Sequence, residues 1–453
     1  MIAHDLTPLQ RNIPPRQRRN WLVPLLLVLL TSFALLVGCQ LQNFPFFGNA
    51  TPIPVTPTAV ASTSATAPQN TQTPVSGSLD NPGHLLIWLP PQFDPESQSP
   101  AGLLIKNRLD AFQKDHADLT VEVRLKALDG RGGLLDSLAN ASMAAHGALP
   151  TLVALQYRDL ESAALKGLLL PLEGKTQVYT GTDWLPYAAA LGTIQNKQFG
   201  IPFAGDALAL VYRPVQTPYP PTTWQELSSQ NLPVIFPAAD PDATVLTAIY
   251  LDAGGNLLDA NGMPVLESAP LQKSLVILNN GTQSGAFPFW LSQFTTFSGS
   301  WNAYTDQASG YAIAWASQFL ASQPADSTLA TLPKAGPNEV TLAQGWVWCI
   351  PEMSTQSQQE AIVLAEYLSD PAFIDELDQA AGYLPVYASG LQTIQDPVLS
   401  QTLTDITSTA QVLPAGSTMN TISPILEDSS VQIIKMQAYY QQVLDQALNH
   451  FKK

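Results

Sequence analysis

Asp206 is well placed to do chemistry, because it stands at the start of a long apolar run. The run Ala207–Tyr212 follows it directly, and Pro202 and Gly205 precede it. A continuous apolar run bounded by turn residues predicts a strand in a sheet that is covered on both faces. Burying an unpaired carboxylate is costly, so Asp206 is expected at the mouth of this strand. There it either bonds a ligand, caps a helix or pairs with a lysine.

Amide and aromatic side chains stand at comparable positions elsewhere in the chain. Gln156 and Tyr157 follow the apolar stretch 149–155, and Trp315 follows the apolar stretch 311–314. Sugar recognition needs flat apolar faces that stack on pyranose rings and planar polar groups that bond hydroxyls. These residues are therefore candidates for ligand contact, although Trp315 can equally pack in a core.

Other aromatic residues carry the same alternative between ligand contact and packing. Trp346 and Trp348 lie two apart and so share one face of a strand. Trp301 follows Ser-Gly-Ser, which predicts a loop that lines a cleft wall or closes a core. Tyr383 lies in a predicted loop, where it either bonds a ligand or packs.

Patterns for catalysis or metal binding are not found in the sequence. The chain has no Gly-x-Ser-x-Gly elbow and no His-Glu-x-x-His helix, and its five histidines are scattered. Glycoside hydrolysis needs two carboxylates across the scissile bond, and no such pair stands out at strand ends. We therefore expect no enzyme activity, no metal and no cofactor.

The elements that position these residues alternate between strand and helix. Strands are predicted at 84–89, 119–125 and 149–156, and helices at 103–115, 134–146 and 159–166. This alternation predicts a parallel sheet with helices on both faces. Ligands of such sheets bind outside the carboxyl ends of the strands. The 370 residues that follow about residue 83 are enough for two lobes of ordinary domain size.

The N-terminal segment has the features of a secretory signal. Four arginines lie within residues 1–20, and the apolar stretch 21–37 ends in Gly38-Cys39. A basic region, an apolar region and a cut at small residues predict a signal peptide. Cys39 resembles the acylated cysteine of a bacterial lipobox, and the alternative is one uncleaved transmembrane helix. Both interpretations place the remaining chain outside the cytoplasmic membrane.

Residues 39–82 are rich in Ser, Thr, Pro and Ala. This composition predicts an extended tether between the membrane and the globular part of the chain. Removing residues 1–38 takes away four arginines and Asp5, which leaves 16 basic and 35 acidic residues and a net charge of −19. That charge excludes a general affinity for nucleic acid or anionic lipid.

Cys349 is the second of the chain's two cysteines, so lipidation of Cys39 leaves no intramolecular disulfide. We interpret Cys349 as a packed core thiol.

Several segments resemble the maltose-binding-protein-like extracellular solute-binding proteins (family 1) of bacterial ABC importers. GIPFAGDALALVY followed by PPTTWQEL resembles the segment that crosses between the two lobes of that family. ALPTLVALQYRDLESAALKGLLLPLEG resembles its third strand and following helix. TDQASGYAIAWASQFL and AQGWVWCIPEMSTQSQQEAIVLAEYLSDPAFIDELDQAAGYLPVYAS resemble later segments, in the family's order. The resemblance covers the chain from about residue 84.

The resemblance implies a two-lobed α/β fold of the type II periplasmic-binding-protein kind. Each lobe is then a mainly parallel sheet flanked by helices, and crossover hinge strands join the lobes. It implies residues 83–204 and 345–389 as lobe 1, and residues 205–344 and 390–453 as lobe 2. Asp206 matches the position of a ligand-bonding carboxylate, and Trp346 follows a glycine that lies at the cleft.

One departure from the family concerns the ligand. Ser423 and Pro424 stand where the maltose binder of the family places a stacking aromatic residue. We therefore expect a ligand other than a maltodextrin bound in the same pose. The low content of Lys and Arg near the cleft disfavours a strongly anionic ligand.

The resemblance thus predicts a monomeric, lipid-anchored binding protein on the extracytoplasmic face of the membrane. It would capture a neutral solute, most simply a sugar or oligosaccharide, and deliver it to ABC permease subunits. The alternatives are a sensory or non-carbohydrate binding protein of the same fold, or a secreted glycosidase. The predicted ligand contacts are Asp206, Trp346, Trp315, Trp301, Tyr157, Gln156 and Tyr383.

Overall fold

The computed structural model describes residues 83–452, except residues 145, 181–182, 307–308 and 337–338. The predicted signal peptide, Cys39 and the predicted tether lie outside the described residues. In the described part the chain forms the following β-strands: β1 His84–Leu89, β2 Thr120–Leu125, β3 Leu152–Gln156, β4 Thr193–Ile194, β5 Lys197–Gln198, β6 Gly200–Tyr212, β7 Val234–Ile235, β8 Tyr311–Trp315, β9 Thr328–Ala330, β10 Thr341–Cys349 and β11 Ala410–Val412.

The same residues form fifteen α-helices. They are α1 Pro100–Asp115, α2 Leu134–Ala144, α3 Tyr157–Leu165, α4 Pro186–Leu191, α5 Trp224–Ser229, α6 Thr244–Asp252, α7 Ser268–Ser284, α8 Phe297–Asp306, α9 Ala316–Ser322, α10 Thr355–Leu368, α11 Pro371–Ala381, α12 Ala388–Thr393, α13 Pro397–Thr409, α14 Gly416–Ile434 and α15 Tyr440–Phe451.

One nine-stranded sheet runs through the molecule in the order β2-β1-β3-β10-β6-β8-β7, with β11 paired to β10 and β9 paired to β6. The β1–β2, β1–β3, β7–β8 and β10–β11 pairs are parallel. The antiparallel pairs of this sheet all involve β6 or β10. The predicted two-lobed α/β class is therefore confirmed, and the antiparallel pairing is confined to the two long strands that join the lobes.

We call the part built on β1–β3 the first lobe and the part built on β7–β9 the second lobe. Helices α1–α4, α10 and α11 pack around the first lobe, and α5–α9, α14 and α15 around the second. Helix α13 packs on β6 and β9 and reaches α4. Every residue of β6 is buried, as expected for a strand covered on both faces.

Strands β6 and β10 change neighbours in their middle. Up to Ala207, β6 pairs with β10, and from Leu208 it pairs with β8. Strand β10 pairs with β11 through residues 341–343 and with β3 through residues 346–349. We call this place, where Asp206 lies opposite Gln344, the crossing point. Both strands pass from one lobe to the other there.

Backbone approach at the crossing point is close because glycine lies on both strands. Gly205 lies opposite Gly345, and Gly205 also exchanges two backbone hydrogen bonds with Leu384, of 3.0 and 2.8 Å. Segment 383–386 is thereby fixed against β6. The Tyr187 hydroxyl donates a hydrogen bond of 2.6 Å to the Pro385 carbonyl and lies against the Cα of Gly205.

The predicted elements appear with shifted ends. The strand predicted at Ala207–Tyr212 begins at Gly200, and the helix predicted at 159–166 is α3. Helix α5 begins after Thr223, whose hydroxyl accepts the Glu226 amide hydrogen. Cys349 is a buried free thiol, and burial raises its pKa. Across the described stretch of the chain, helices are too short or too polar to cross a membrane.

Substitution of Gly205 by Ala should destabilise the fold. A Cβ atom at this position would lie 1.9 Å from the Tyr187 hydroxyl, which is held by its hydrogen bond to Pro385. Overpacking of this kind costs about 1–3 kcal/mol, so we expect a loss of that size in chemical denaturation. Gly299→Ala is the control, because its Cβ would come no closer than 3.3 Å to any atom outside its own helix backbone. Equal stability of the two variants would contradict this account.

Candidate functional site

A cavity of about 170 Å³ opens at the crossing point, between the two lobes. The first lobe contributes residues from the end of β3 and from segment 383–386, and the second lobe contributes residues from α8 and α9. The lining residues are Gln156, Asp206, Phe297, Ser298, Trp315, Ser317, Gln318, Gln344, Gly345, Trp346 and Tyr383.

Asp206 forms part of the cavity wall and is only 3 % exposed. Its Oδ1 accepts hydrogen bonds from the amides of Ala207 and Ser317, both 3.0 Å long. Its Oδ2 accepts the Ser317 hydroxyl at 2.5 Å, and the Gln344 side chain also donates to the carboxylate. The carboxylate is therefore oriented by neutral dipoles from β6 itself, from the neighbouring strand β10 and from the start of α9.

Burial dominates the electrostatics of this carboxylate. It raises the pKa of Asp206 to about 7, although the hydrogen bonds from Ser317, Ala207 and Gln344 each lower it. Among the described residues that line the cavity there is no Lys, Arg or His. The site therefore offers a strong hydrogen-bond acceptor and no positive charge.

Aromatic rings form two sides of the cavity. Trp346, from β10, makes an edge-to-face contact with Phe93 at a centroid distance of 5.6 Å. Trp315, at the end of β8, packs against Phe297 at 5.4 Å. The Tyr383 hydroxyl is hydrogen-bonded to the side chains of Trp346 and Gln92. The Trp346 and Trp315 rings keep only 3 % and 9 % exposure, so both pack in a core and also line the cavity.

Amide side chains supply the remaining polarity. Gln156 is the last residue of β3, and Gln344 faces Asp206 across β6 and β10. The Gln318 side chain accepts the Trp315 amide hydrogen at 3.2 Å and donates to the Phe297 carbonyl at 3.1 Å. These last two bonds fix the ends of β8 and α8 around the cavity.

The structure brings together Gln156, Asp206, Trp315, Trp346 and Tyr383, five of the residues predicted from sequence. Tyr157 and Trp301 do not line this cavity. Tyr157 begins α3 and packs against the larger hydrophobic core, which contains β1 and β3, and burial raises the pKa of its hydroxyl to about 12. Trp301 is buried and stacks on Tyr304 at 5.4 Å.

The prediction of a loop at Ser298-Gly299-Ser300, just before Trp301, was wrong. Residues 298–300 lie in the first turns of α8, because the Thr296 hydroxyl accepts the Gly299 amide hydrogen and acts as a helix cap. Ser300 bonds back to the Phe297 carbonyl at 3.0 Å. A serine-rich stretch was therefore mistaken for a turn, although the same residue types serve at helix starts.

Sequence reasoning missed Phe297, Ser298, Ser317, Gln318 and Gln344. Gln344 could have been found, since it is the one amide within the otherwise apolar strand β10. Ser317 and Gln318 lie two and three positions after the last residue of β8, next to a strand end of the kind that drew attention to Gln156. The short helix α9 hides them, because its start is also the end of the strand.

The described residues contain no group of three or more His, Cys, Asp or Glu side chains that could hold a metal ion.

The chain belongs to the family of bacterial extracellular solute-binding proteins, whose model matches residues 107–400. Membership places it among extracytoplasmic binding proteins. No curated protein sequence matches the chain significantly.

Solved structures share the fold at low sequence identity. Maltose-bound MalE3 of T. maritima is 16 % identical with a TM-score of 0.64, over 82 % of this chain and 99 % of that chain. The cyclic alpha-maltosyl-1,6-maltose binding protein from Arthrobacter globiformis is 17 % identical with a TM-score of 0.66, over 82 % and 98 %. An ABC transporter solute binding protein from Thermotoga lettingae, bound with alpha-D-tagatose, is 19 % identical with a TM-score of 0.64, over 82 % and 99 %.

Asp206→Asn should raise stability at neutral pH and not at pH 4. The raised pKa means that the folded protein binds more protons than the unfolded chain between about pH 4 and 7. The contribution of Asp206 to stability is therefore greatest in acid and falls as the pH rises to about 7. The stability difference between variant and wild type should grow by a few kcal/mol over this range and then level off.

Denaturant unfolding at pH 4, 5.5, 7 and 8 measures this difference. Asp110→Asn, which alters an exposed carboxylate on α1, is the control and should follow the wild-type profile. A difference for Asp206→Asn that is the same at pH 4 and pH 8 would show that burial does not govern this carboxylate.

Proposed function

We propose that this protein captures a neutral, hydroxyl-rich solute, most simply a sugar, in the cavity at the crossing point. The observation that carries the proposal is the lining itself: an oriented carboxylate, amides and aromatic rings, contributed by both lobes, with no cation among the described lining residues. Hydroxyl groups donate to carboxylates and exchange hydrogen bonds with amides, and ring faces cover the apolar faces of a sugar.

The cavity dimensions favour a compact solute. Its volume of about 170 Å³ lies below the range of about 300–1,000 Å³ that is usual for drug-sized ligands. A long oligosaccharide would need the lobes to stand further apart. The serine at position 423 is consistent with this preference, since its hydroxyl bonds the Asp242 carbonyl at 3.0 Å and leaves no ring for a second sugar unit.

An anionic solute is disfavoured by the same lining. It would meet the Asp206 carboxylate without a compensating positive charge from the described lining residues. Hydrolysis of a glycoside is also unsupported, because Asp206 is the one carboxylate among those residues and the reaction requires two.

Capture would proceed by bending at the crossing point. We propose that the lobes correspond to residues 83–204 with 345–389 and residues 205–344 with 390–453, and that they close on the solute. The closed form would then dock on the permease of an ABC importer. Acylation at Cys39, after removal of residues 1–38, and the tether 39–82 would hold a monomeric protein at the outer face of the membrane.

Ligand screening of the full-length chain in mild detergent tests the proposal. A solute at a hundred times its dissociation constant should stabilise the fold by about 2.7 kcal/mol, which a thermal-shift assay detects. The panel includes monosaccharides, disaccharides, longer oligosaccharides, polyols and amino acids. We expect a shift with a compact sugar that is lost in Asp206→Ala and reduced in Gln344→Ala.

Trp346→Leu removes an aromatic ring from the cavity wall. Its control is Trp224→Phe, a substitution at a tryptophan that does not line the cavity. Trp224 lies in the hydrophobic core of the second lobe and does not line the cavity, so its variant should lose stability and keep the ligand-induced shift. Shifts with amino acids alone would overturn the sugar assignment. A sugar-induced shift that survives both Asp206→Ala and Trp346→Leu would place the ligand elsewhere.

A further inference from the structure

Helix α3 of the first lobe is joined to the second lobe by two polar contacts. The Arg158 guanidinium forms an ion pair with the Asp242 carboxylate, which lies between β7 and α6. One turn further along α3, the Glu161 carboxylate accepts the amide hydrogen of Gly416, the first residue of α14. Residues 158 and 161 are three apart and so lie on one face of α3.

Glu161 completes the start of α14. The preceding residue, Ala415, provides no side-chain cap, and the first amides of a helix have no partner within the helix. A carboxylate at this end is also favoured by the helix dipole. Glu161 is 6 % exposed, so the first lobe supplies a buried cap to a helix of the second lobe.

Glycine at position 416 permits this approach. A Cβ atom there would lie 3.1 Å from Oε2 of Glu161, which is tighter than ordinary van der Waals contact. The backbone of Gly416 therefore has room for the carboxylate of the other lobe, and a Cβ atom there would require that carboxylate to shift by a few tenths of an ångström.

The ion pair is supported from the second lobe. The Ser423 hydroxyl, on α14, donates to the Asp242 carbonyl at 3.0 Å, and the Asp242 amide donates to Oδ1 of Asp240 at 3.1 Å. Helix α14 thus supports both partners of α3, since it begins at Gly416 and holds the segment of Asp242. The two contacts depend on one rigid element.

These contacts lie beside the cavity. Gln156, which precedes α3, lines the cavity, and Arg158 is two residues further along the sequence. None of the four contacting residues lines the cavity, so both contacts are made between protein groups alone.

We propose that Arg158–Asp242 and Glu161–Gly416 form an interlobe latch, which holds the lobes closed in the ligand-free protein. A binding-competent closed state that is already populated strengthens apparent affinity, because less free energy is spent on closure. The latch also slows opening and hence the release of solute. This consequence for affinity rests on the proposed function, whereas the closure itself does not.

The interlobe distance in the ligand-free protein tests the latch without any solute. Spin labels at Asn107→Cys on α1 and Gln272→Cys on α7 report that distance by pulsed electron paramagnetic resonance in the full-length chain. The background carries Cys39→Ser, and Cys349 is buried and does not compete for label. The wild-type background should show one short distance population.

Reversing the charge of Arg158 should separate the lobes, and exchanging the charges of Arg158 and Asp242 should restore the closed arrangement. Arg158→Asp should lower the ratio of closed to open molecules by about fivefold or more, the upper range for an exposed pair with added repulsion. Arg158→Asp combined with Asp242→Arg should recover the short distance. Glu161→Ala should act like Arg158→Asp, and with less dependence on salt because Glu161 is buried.

Arg124→Asp is the matched control, since Arg124 pairs with Glu122 on β2 within the first lobe. It should leave the interlobe distance unchanged. A distance distribution that is the same in the background, Arg158→Asp and Glu161→Ala overturns the latch, as does a background protein that is already open. Once a solute is known, faster release from Arg158→Asp checks the effect on affinity, and failure there alone would count against the proposed function.

Discussion

A carboxylate with almost no access to water has to be stabilised at the place where both lobe-joining strands change partners. Within the described part of the chain, the hydrogen-bond partners of Asp206 are neutral, and its charge is compensated by amides and a hydroxyl of Ala207, Ser317 and Gln344. Those partners come from three elements, so the carboxylate fixes the relative positions of β6, β10 and the start of α9. The cavity lies against this carboxylate, so its wall is held by the same hydrogen bonds.

The small residues around Asp206 follow from the same constraint. A Cβ atom on Gly345 would lie 2.5 Å from the Ala204 carbonyl, so the strands approach as closely as glycine allows. Large rings occupy the flanks instead, with Phe93 joining Phe203 and Trp346 into one aromatic cluster on the first-lobe side. A narrow polar centre between aromatic walls is the result, and this arrangement supports the proposal of a hydroxyl-bearing solute.

Local sequence patterns predicted the parts of this site that depend on a single strand. Asp206, Gln156 and Trp315 are adjacent to apolar runs, and the ends of those runs mark the cavity edge. Trp301 was misplaced because Ser and Gly serve both loops and helix starts, and only the Thr296 cap decides between them. Contacts between distant segments gave no local signal: Arg158 and Asp242 lie 84 positions apart, and Glu161 and Gly416 lie 255 apart.

The position of Ser423 links the cavity to the closure of the lobes. The resemblance sets Ser423 at the position where the maltose binder places a stacking aromatic residue, and in this structure its buried hydroxyl fastens the segment that carries Asp242. The side chain at position 423 therefore makes a hydrogen bond within the second lobe and offers no ring to a ligand. Under the proposed latch, part of the free energy of closure comes from contacts between the lobes themselves, so fewer contacts are required from the solute. A cleft closed in this way can hold a smaller ligand than one that depends on the ligand to bridge its walls.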